Sequence, residues 1–258
     1  MKVLDALIDR VMHAPTAYSR WLHNPPGIQI LKSLELNSKV LDVGCAGFRQ
    51  QHIGKLNARA DLQHYGIDNQ AAVLGDVPDA FVFKICCLDS EKIPFPDDQF
   101  DLVVACHVIE HIRDPINLMQ ECVRVCKPGG WISLEAPSER SLFLPGFPFS
   151  HEHGLSTSFY DDPTHVGRPW STQSFFRLAS GFRLDCIHAT YDWNIFIMIF
   201  APILLPALAA FKIGRLFQYV AWKATGWNAR LVARKPIDQN GVVNYSYKLA
   251  DFNLKRGK

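Results

Sequence analysis

No C-x-x-C pair occurs among the seven cysteines, which stand at 45, 86, 87, 106, 122, 126 and 186. That absence argues against a zinc ribbon and a thioredoxin-type centre. The cysteines sit inside apolar runs such as FKICCL and VVACHVIEH, which reads as buried, reduced thiols. Charge of one sign is also missing: 27 Lys and Arg face 25 Asp and Glu, a net of +2. So slight a balance gives no basis for a nucleic-acid partner. The glycine loop VLDVGCAG offers only Gly44 and Gly47, not G-x-G-x-x-G, so a nicotinamide enzyme is a weak reading. The opening MKVLDALIDRVMHAP interrupts its apolar pattern with Asp5, Asp9 and Arg10. An amphipathic helix does this and a secretory leader does not, so the expected location is the cytoplasm.

What is present is ordinary globular material. The 258 residues, 48% apolar and 20% charged, suffice for one large α/β domain or two small ones. Residues 1–36 read as an N-terminal helical extension broken at HAPT and NPPG. After it, apolar β-branched runs fall at SKVLDV, LQHYGID, AFVFKICCLD, FDLVVACHV and GWISLEAP, with FRLDCIHATYDW and NARLVARKP later. Ile109, Ile112, Ile116, Met119 and Val123 recur at helical spacing, with Pro128-Gly129-Gly130 as the stop. STQSFFRLASG opens with a Ser/Thr cap and closes on Gly181, the punctuation of a helix. Strands alternating with helices predict an α/β fold with a mostly parallel sheet and helices on both faces. Ligands of such sheets bind outside the carboxyl ends of the strands, so the polar residues just past each strand are the candidates.

Four blocks in order carry a resemblance: VLDVGCAG, YGID, CLDSEKIPFPDDQFDLVVACHVIEHIRDP and ECVRVCKPGGWISLEAPS. Together they resemble the class I S-adenosylmethionine-dependent methyltransferases, close to the small-molecule branch that includes quinone and sugar methylases. The resemblance implies a Rossmann-like seven-stranded sheet over 37–258 with the last strand antiparallel, and S-adenosyl-L-methionine as cofactor. It assigns Asp68 to the ribose hydroxyls, as an acid there acts in nucleotide-binding sheets generally. It assigns Asp89, with Ser90 beside it, to the adenine amino group. The loop of Asp42, Gly44, Cys45, Ala46 and Gly47 would pass under the methionine end, whose carboxylate the following helix N-terminus favours. His107 would line that same end. Phe48 stands where the family commonly has glycine and must point away from the cofactor or cap it.

The acceptor side falls to the long aromatic loop SERSLFLPGFPFSHEHGLSTSFYDDPTHVGRPWS after the fifth strand. Methyl transfer is an in-line displacement in which positioning does much of the work, and a hydroxyl acceptor gains from a general base. The expected catalytic group is His165, oriented by Asp161 or Asp162. Two other readings stay open: the aspartates cap a turn before Pro163 while His165 packs, or a metal sits among His151, Glu152, His153, Asp161 and Asp162. The second suits Mg²⁺ poorly, because that ion favours oxygen donors. His107 and His111 stand at i, i+4, but Glu110 is out of place for H-E-x-x-H, so no metal site is expected there.

Between the last two strands lies an apolar insertion, 194–227, in which 195–211 carry no charge. It is shorter than the roughly 20 apolar residues of a span and contains Pro202 and Pro206. Lys212, Arg215 and Lys223 follow among Leu, Phe, Tyr and Trp, the pattern of a helix pair lying on an anionic bilayer. Three functions remain: methylation of a lipid-linked or membrane-proximal acceptor such as a glycan precursor or quinone hydroxyl, a soluble small-molecule methylase whose insertion covers its pocket, or an inactive cofactor-binding partner subunit.

Overall fold

The computed structural model describes residues 26–69, 77–149, 155–240 and 243–246. Residues 1–25 of the expected N-terminal extension lie outside these, as do His151, Glu152 and His153. In chain order the elements are α1 (Pro26–Ser33), β1 (Lys39–Val43), α2 (Arg49–Leu56), β2 (Gln63–Asp68), β3 (Phe81–Ile85), β4 (Phe100–Cys106), α3 (Pro115–Val125), β5 (Cys126–Pro137), α4 (Thr172–Gly181), β6 (Asp185–Tyr191), α5 (Ile195–Ala210), α6 (Gly214–Thr225) and β7 (Asn228–Arg234).

The strands form one seven-stranded sheet in the order β3-β2-β1-β4-β5-β7-β6. All neighbouring pairs are parallel except those of β7, which runs antiparallel to β5 and β6. The fold is thus the Rossmann-like sheet expected, with its antiparallel last strand. Alternation along the strands supplies both faces. Leu41, Val43, Val103, Ile132 and Leu134 pack under Met119 and Cys122 of α3 and Phe175 and Leu178 of α4. Val40, Leu102 and Val104 point the other way, onto Ile30 and Leu31 of α1 and Ile53 of α2.

Two boundaries differ from the periodicity. The helical spacing that starts at Ile109 is split: Ile109–His111 is a 3₁₀ turn, and α3 begins only at Pro115. Asp114 causes this, because its carboxylate accepts the Ile116 and Asn117 amides and caps the helix, with Pro115 at the first position. Pro128-Gly129-Gly130 also lies within a strand, since β5 starts at Cys126 and bulges against β4 between Phe100 and Leu102.

The chain leaves β1 toward β2 and β3, then returns to place β4 on the other side of β1. The carboxyl ends of β1 and β4 therefore flank the crevice where the strand order reverses. Between β6 and β7, α5 and α6 pack on each other through Ile197, Ala201, Leu208, Tyr219 and Val220.

Candidate active site

At the crevice the β1 loop turns sharply. Gly44 has φ +71, and a Cβ there would meet Val108 Cγ2 at 2.4 Å, so only glycine lets the loop pass this close to the end of β4. The Gly44 and Cys45 amides donate to Ile67 O at 2.9 and 3.1 Å, tying the loop to β2. Gly47 has φ +75, and Phe48 follows at φ +52. The Phe48 ring turns inward onto Phe81, centroids 4.8 Å apart, and packs with Cys45. It points away from the crevice, which removes the steric warning that the sequence raised.

A cleft of about 270 Å³ opens above this loop. Gly44 and Ala46 form its floor, Asp68 and Asn69 continue from β2, and Cys87, Leu88 and Asp89 come from the segment after β3. His107, Val108, His111 and Ile112 close it from beyond β4. Of the expected cofactor residues, Gly44, Ala46, Asp68, Asp89 and His107 share this wall. Asp89 holds its side in place by accepting the Arg113 amide at 2.8 Å. Asp42, Cys45, Gly47 and Ser90 are not on the wall: Asp42 and Cys45 are buried, and Gly47 and Ser90 are exposed outside it. Asp42 is buried under the loop, and burial pushes its carboxyl up to about 7 against the Gln50 amide and Arg49, which favour the charged form. The residues fit S-adenosylmethionine: acids stand on two sides of the cleft, and a Cβ at position 44 would fill the gap over which the loop approaches.

His107 has φ +56 and sits between two carboxylates. Its Nδ1 lies 3.1 Å from Glu110 Oε1, and its Nε2 lies 3.9 Å from Glu135 Oε1. Glu135 is in turn held by Arg230 Nε and Asn228 Nδ2, both at 2.6 Å. Burial alone would raise Glu135, but Arg230, His107 and Arg49 override it and hold the carboxyl well below the usual range. Arg230 also bonds Asp192, 2.7 Å away, and Asp192 pairs with Lys223. Lys223 is thus buried and spent on Asp192 inside the protein, not on the outer face where the sequence pattern put it. Burial lowers its ammonium to about 8, with Asp192 acting against the shift.

The loop after β5 is organised by its two aspartates. Asp161 Oδ2 accepts the amides of Phe147, Thr157 and Ser158 at 2.8 to 2.9 Å. Asp162 Oδ1 accepts the Thr164 amide and hydroxyl at 2.8 and 2.6 Å, a turn closed by an aspartate. Asp162 Oδ2 stands 3.9 Å from His165 Nε2. The His165 Nδ1 donates to Phe159 O at 2.8 Å, and its ring packs against Phe159 and His111 with centroids 4.4 and 4.8 Å away. His165 therefore meets the cleft through His111.

The α6 helix reaches this region through Trp222. The indoles of Trp222 and Trp227 stack at 4.1 Å, and both rings lie within 5.8 Å of His107. Their Nε1 atoms donate to Ser156 O and Thr157 O at 2.8 and 2.5 Å, pinning the acceptor loop to the insertion. Sequence reading missed Trp222, Glu135 and Arg230, and it weighed Glu110 only for a metal motif. Glu135 alone carried a signal, as a charged residue at the carboxyl end of a predicted strand.

Residues 41–134 match the family model described as a methyltransferase domain. An uncharacterised methyltransferase of Schizosaccharomyces pombe is 29% identical over 139 residues, 49% of each chain. A ubiquinone biosynthesis O-methyltransferase of Thiobacillus denitrificans is 28% identical over 98 residues, 36% of this chain and 42% of that one. The chain thus spans about half the length, or less, of these curated relatives. A chain of the complex between the Haloferax volcanii Trm112 methyltransferase activator and a methyltransferase superposes with a TM-score of 0.60 at 17% identity, over 90% of this chain and 93% of that one. The sheet order, the glycine loop and the acids past β2 and β3 agree with the matched domain: residues 41–134 carry an S-adenosylmethionine-dependent methyltransferase domain within a Rossmann-like methyltransferase fold.

Proposed function

We propose that the protein transfers a methyl group from S-adenosylmethionine to a hydroxyl of a small, membrane-proximal acceptor such as a glycan precursor or a quinone-like ring. The observation that carries this reading is one cleft at the strand ends where Asp68, Asp89, Gly44 and His107 meet, with the loop of His165 against its far wall. The cofactor supplies a methyl on a sulfonium sulfur, transferred by in-line displacement. The chain's part is to orient and to move a proton. Asp68 and Asp89 accept the ribose and adenine donors. The Nδ1–H of His165 is committed to Phe159 O, which leaves Nε2 with a lone pair for the acceptor's proton as the C–O bond forms. Asp162, 3.9 Å from that nitrogen, steadies the imidazolium. The Trp222 and Trp227 stack over His107 keeps water from the transferring methyl.

The two helices of the insertion take separate work in this account. The inner one, α6, covers the pocket. The outer one, α5, turns Ile199, Phe200 and Ile203 to the surface, each more than half exposed, with Lys212 and Arg215 exposed beyond them. Apolar side chains bordered by cations suit the surface of an anionic bilayer. No described helix is long and apolar enough to cross a membrane. The relatives named ubiquinone biosynthesis O-methyltransferase and 27-O-demethylrifamycin SV methyltransferase favour an oxygen acceptor. Calorimetry with S-adenosylhomocysteine tests the reading at its first step: heat at micromolar ligand supports it, and none at millimolar ligand removes it.

A further inference from the structure

We propose that Glu110, His111 and His165 form a binding site for a divalent transition-metal ion of the zinc type, where the cofactor cleft meets the acceptor loop. One donor atom from each of the three lies within 4.8 Å of the others. In a tetrahedral zinc site, bonds of about 2.0–2.1 Å set donors roughly 3.3 Å apart, so capture asks for a closure of about 1.5 Å at most.

Each of the three residues keeps a donor atom to offer. His111 Nδ1 faces Thr164 O and Oγ1 at 3.2 and 3.1 Å, and His165 Nδ1 faces Phe159 O at 2.8 Å. Backbone carbonyls only accept, so each Nδ1 carries the hydrogen and each Nε2 presents a lone pair. A histidine whose second nitrogen donates to a carbonyl is the arrangement that orients metal ligands. Glu110 is fully buried. Its Oε1 takes His107 Nδ1, while Oε2 is buried without a hydrogen-bond partner. An unpartnered buried carboxylate oxygen is costly, and a cation beside it removes the cost.

The donor set selects the ion. Two imidazoles and one carboxylate suit Zn²⁺, Fe²⁺ or Co²⁺ and suit Mg²⁺ poorly. The neighbouring group of Cys106, His107 and Glu135 is also close together but is committed otherwise. The Cys106 sulfur is already engaged, since Arg49 Nη1 donates to it at 3.0 Å. Glu135 is taken by Arg230 and Asn228.

The ion would clamp two segments that already touch, since the Gly167 amide donates to Glu110 O at 2.9 Å. Three protein ligands leave a fourth position, as in catalytic zinc sites. The role of that position rests on the acceptor reading above. An acceptor oxygen bound there exchanges its O–H bond for an O–metal bond and releases the proton to solvent, and His165 then serves as ligand instead of proton acceptor.

The test strips the full chain with a chelator and titrates it with Co²⁺, whose visible absorption reports tetrahedral coordination, then with Zn²⁺ in competition. One strong Co²⁺ site per chain is expected, displaced by Zn²⁺ and weakened at least about a hundredfold in Glu110→Gln and His165→Ala, as loss of a ligand demands. No stoichiometric band in the wild type overturns the proposal, as does an equal band in both variants. S-adenosylhomocysteine calorimetry on the same samples shows that each variant is folded. It also separates the outcomes: heat without a Co²⁺ band defeats the metal site alone, and absence of heat defeats the methyltransferase reading. Should a variant lose its heat, His111→Ala and the wild-type titration decide.

Discussion

The His111 ring, on the wall of the cofactor cleft, lies 4.8 Å from the ring of His165 on the loop after β5. Through this contact two segments far apart in the chain are brought together, the cleft wall on one side and the loop after β5 on the other. In the proposed function, His165 is the group that meets the acceptor.

Replacing His165 by alanine should leave S-adenosylhomocysteine binding within about twofold of the wild type while turnover falls by 10² to 10⁴, the usual worth of a positioned acid–base group. Paired calorimetry and single-turnover transfer read the two effects. Turnover that survives intact would reduce His165 to packing against Phe159.

Asp68→Ala acts on the opposite side. Loss of charge-assisted hydrogen bonds costs about 1.5–3 kcal/mol, so cofactor affinity should weaken by roughly 10- to 100-fold. A calorimetric titration with unchanged affinity would mean that the cofactor lies elsewhere.

For the roof, Trp222→Phe keeps an aromatic ring over His107 and deletes the 2.8 Å bond from Nε1 to Ser156 O. About 1 kcal/mol of loop anchoring is lost. Acceptor KM should rise severalfold with cofactor affinity unmoved, measured by steady-state kinetics in the two substrates. The opposite pattern would place α6 on the cofactor side.

The outward face of α5 is tested by Ile199→Glu together with Phe200→Glu. Burial of each such side chain is worth about 1.5–3 kcal/mol, so co-sedimentation with anionic-lipid vesicles should fall more than tenfold. Equal pelleting of wild type and variant, or none by either, would take the bilayer away as the occupant of this face.

Stability should respond to pH through two buried groups of opposite sign. Burial raises Asp42 to about 7, so the native state holds its proton more tightly and stability falls as pH rises from 3.8 to 7. Burial lowers His64 to about 4, so stability rises with pH between 4 and 6.5. Between 4 and 6.5 the two oppose each other. Asp42→Asn leaves the histidine alone, and stability should then gain about 1.4 kcal/mol per pH unit over that window relative to the wild type. Urea melts at pH 4.5 and 6.5 check it; parallel behaviour of the two proteins would contradict the assignment.

Much of this was legible in the sequence because it rests on short-range patterns. The glycine turn at Gly44, the apolar strands and the acids that end β2 and follow β3 are local features whose place in the sheet follows from topology. The capping of α4 by Ser171 was readable for the same reason. The start of α3 was not, because Asp114 competes with a helical periodicity that runs through it. Nor was the pairing of Glu135 with Arg230, or the seat of Trp222 over His107. These join residues 95 and 115 positions apart, and no spacing rule reaches so far. The turn aspartates, for which the sequence left both an orienting and a capping role open, show the limit from another side: that Asp161 gathers three backbone amides, two of them within four residues and one 14 away, is a matter of three-dimensional placement.

The central claim is that this cleft transfers a methyl group to a small acceptor. It is tested most directly by incubating the protein and labelled S-adenosylmethionine with lysate fractionated into lipid, glycan and protein pools. The account predicts label in the lipid or glycan pool, dependent on the protein and lost with Asp68→Ala. Label confined to the protein pool, or none above the Asp68→Ala control, would contradict it.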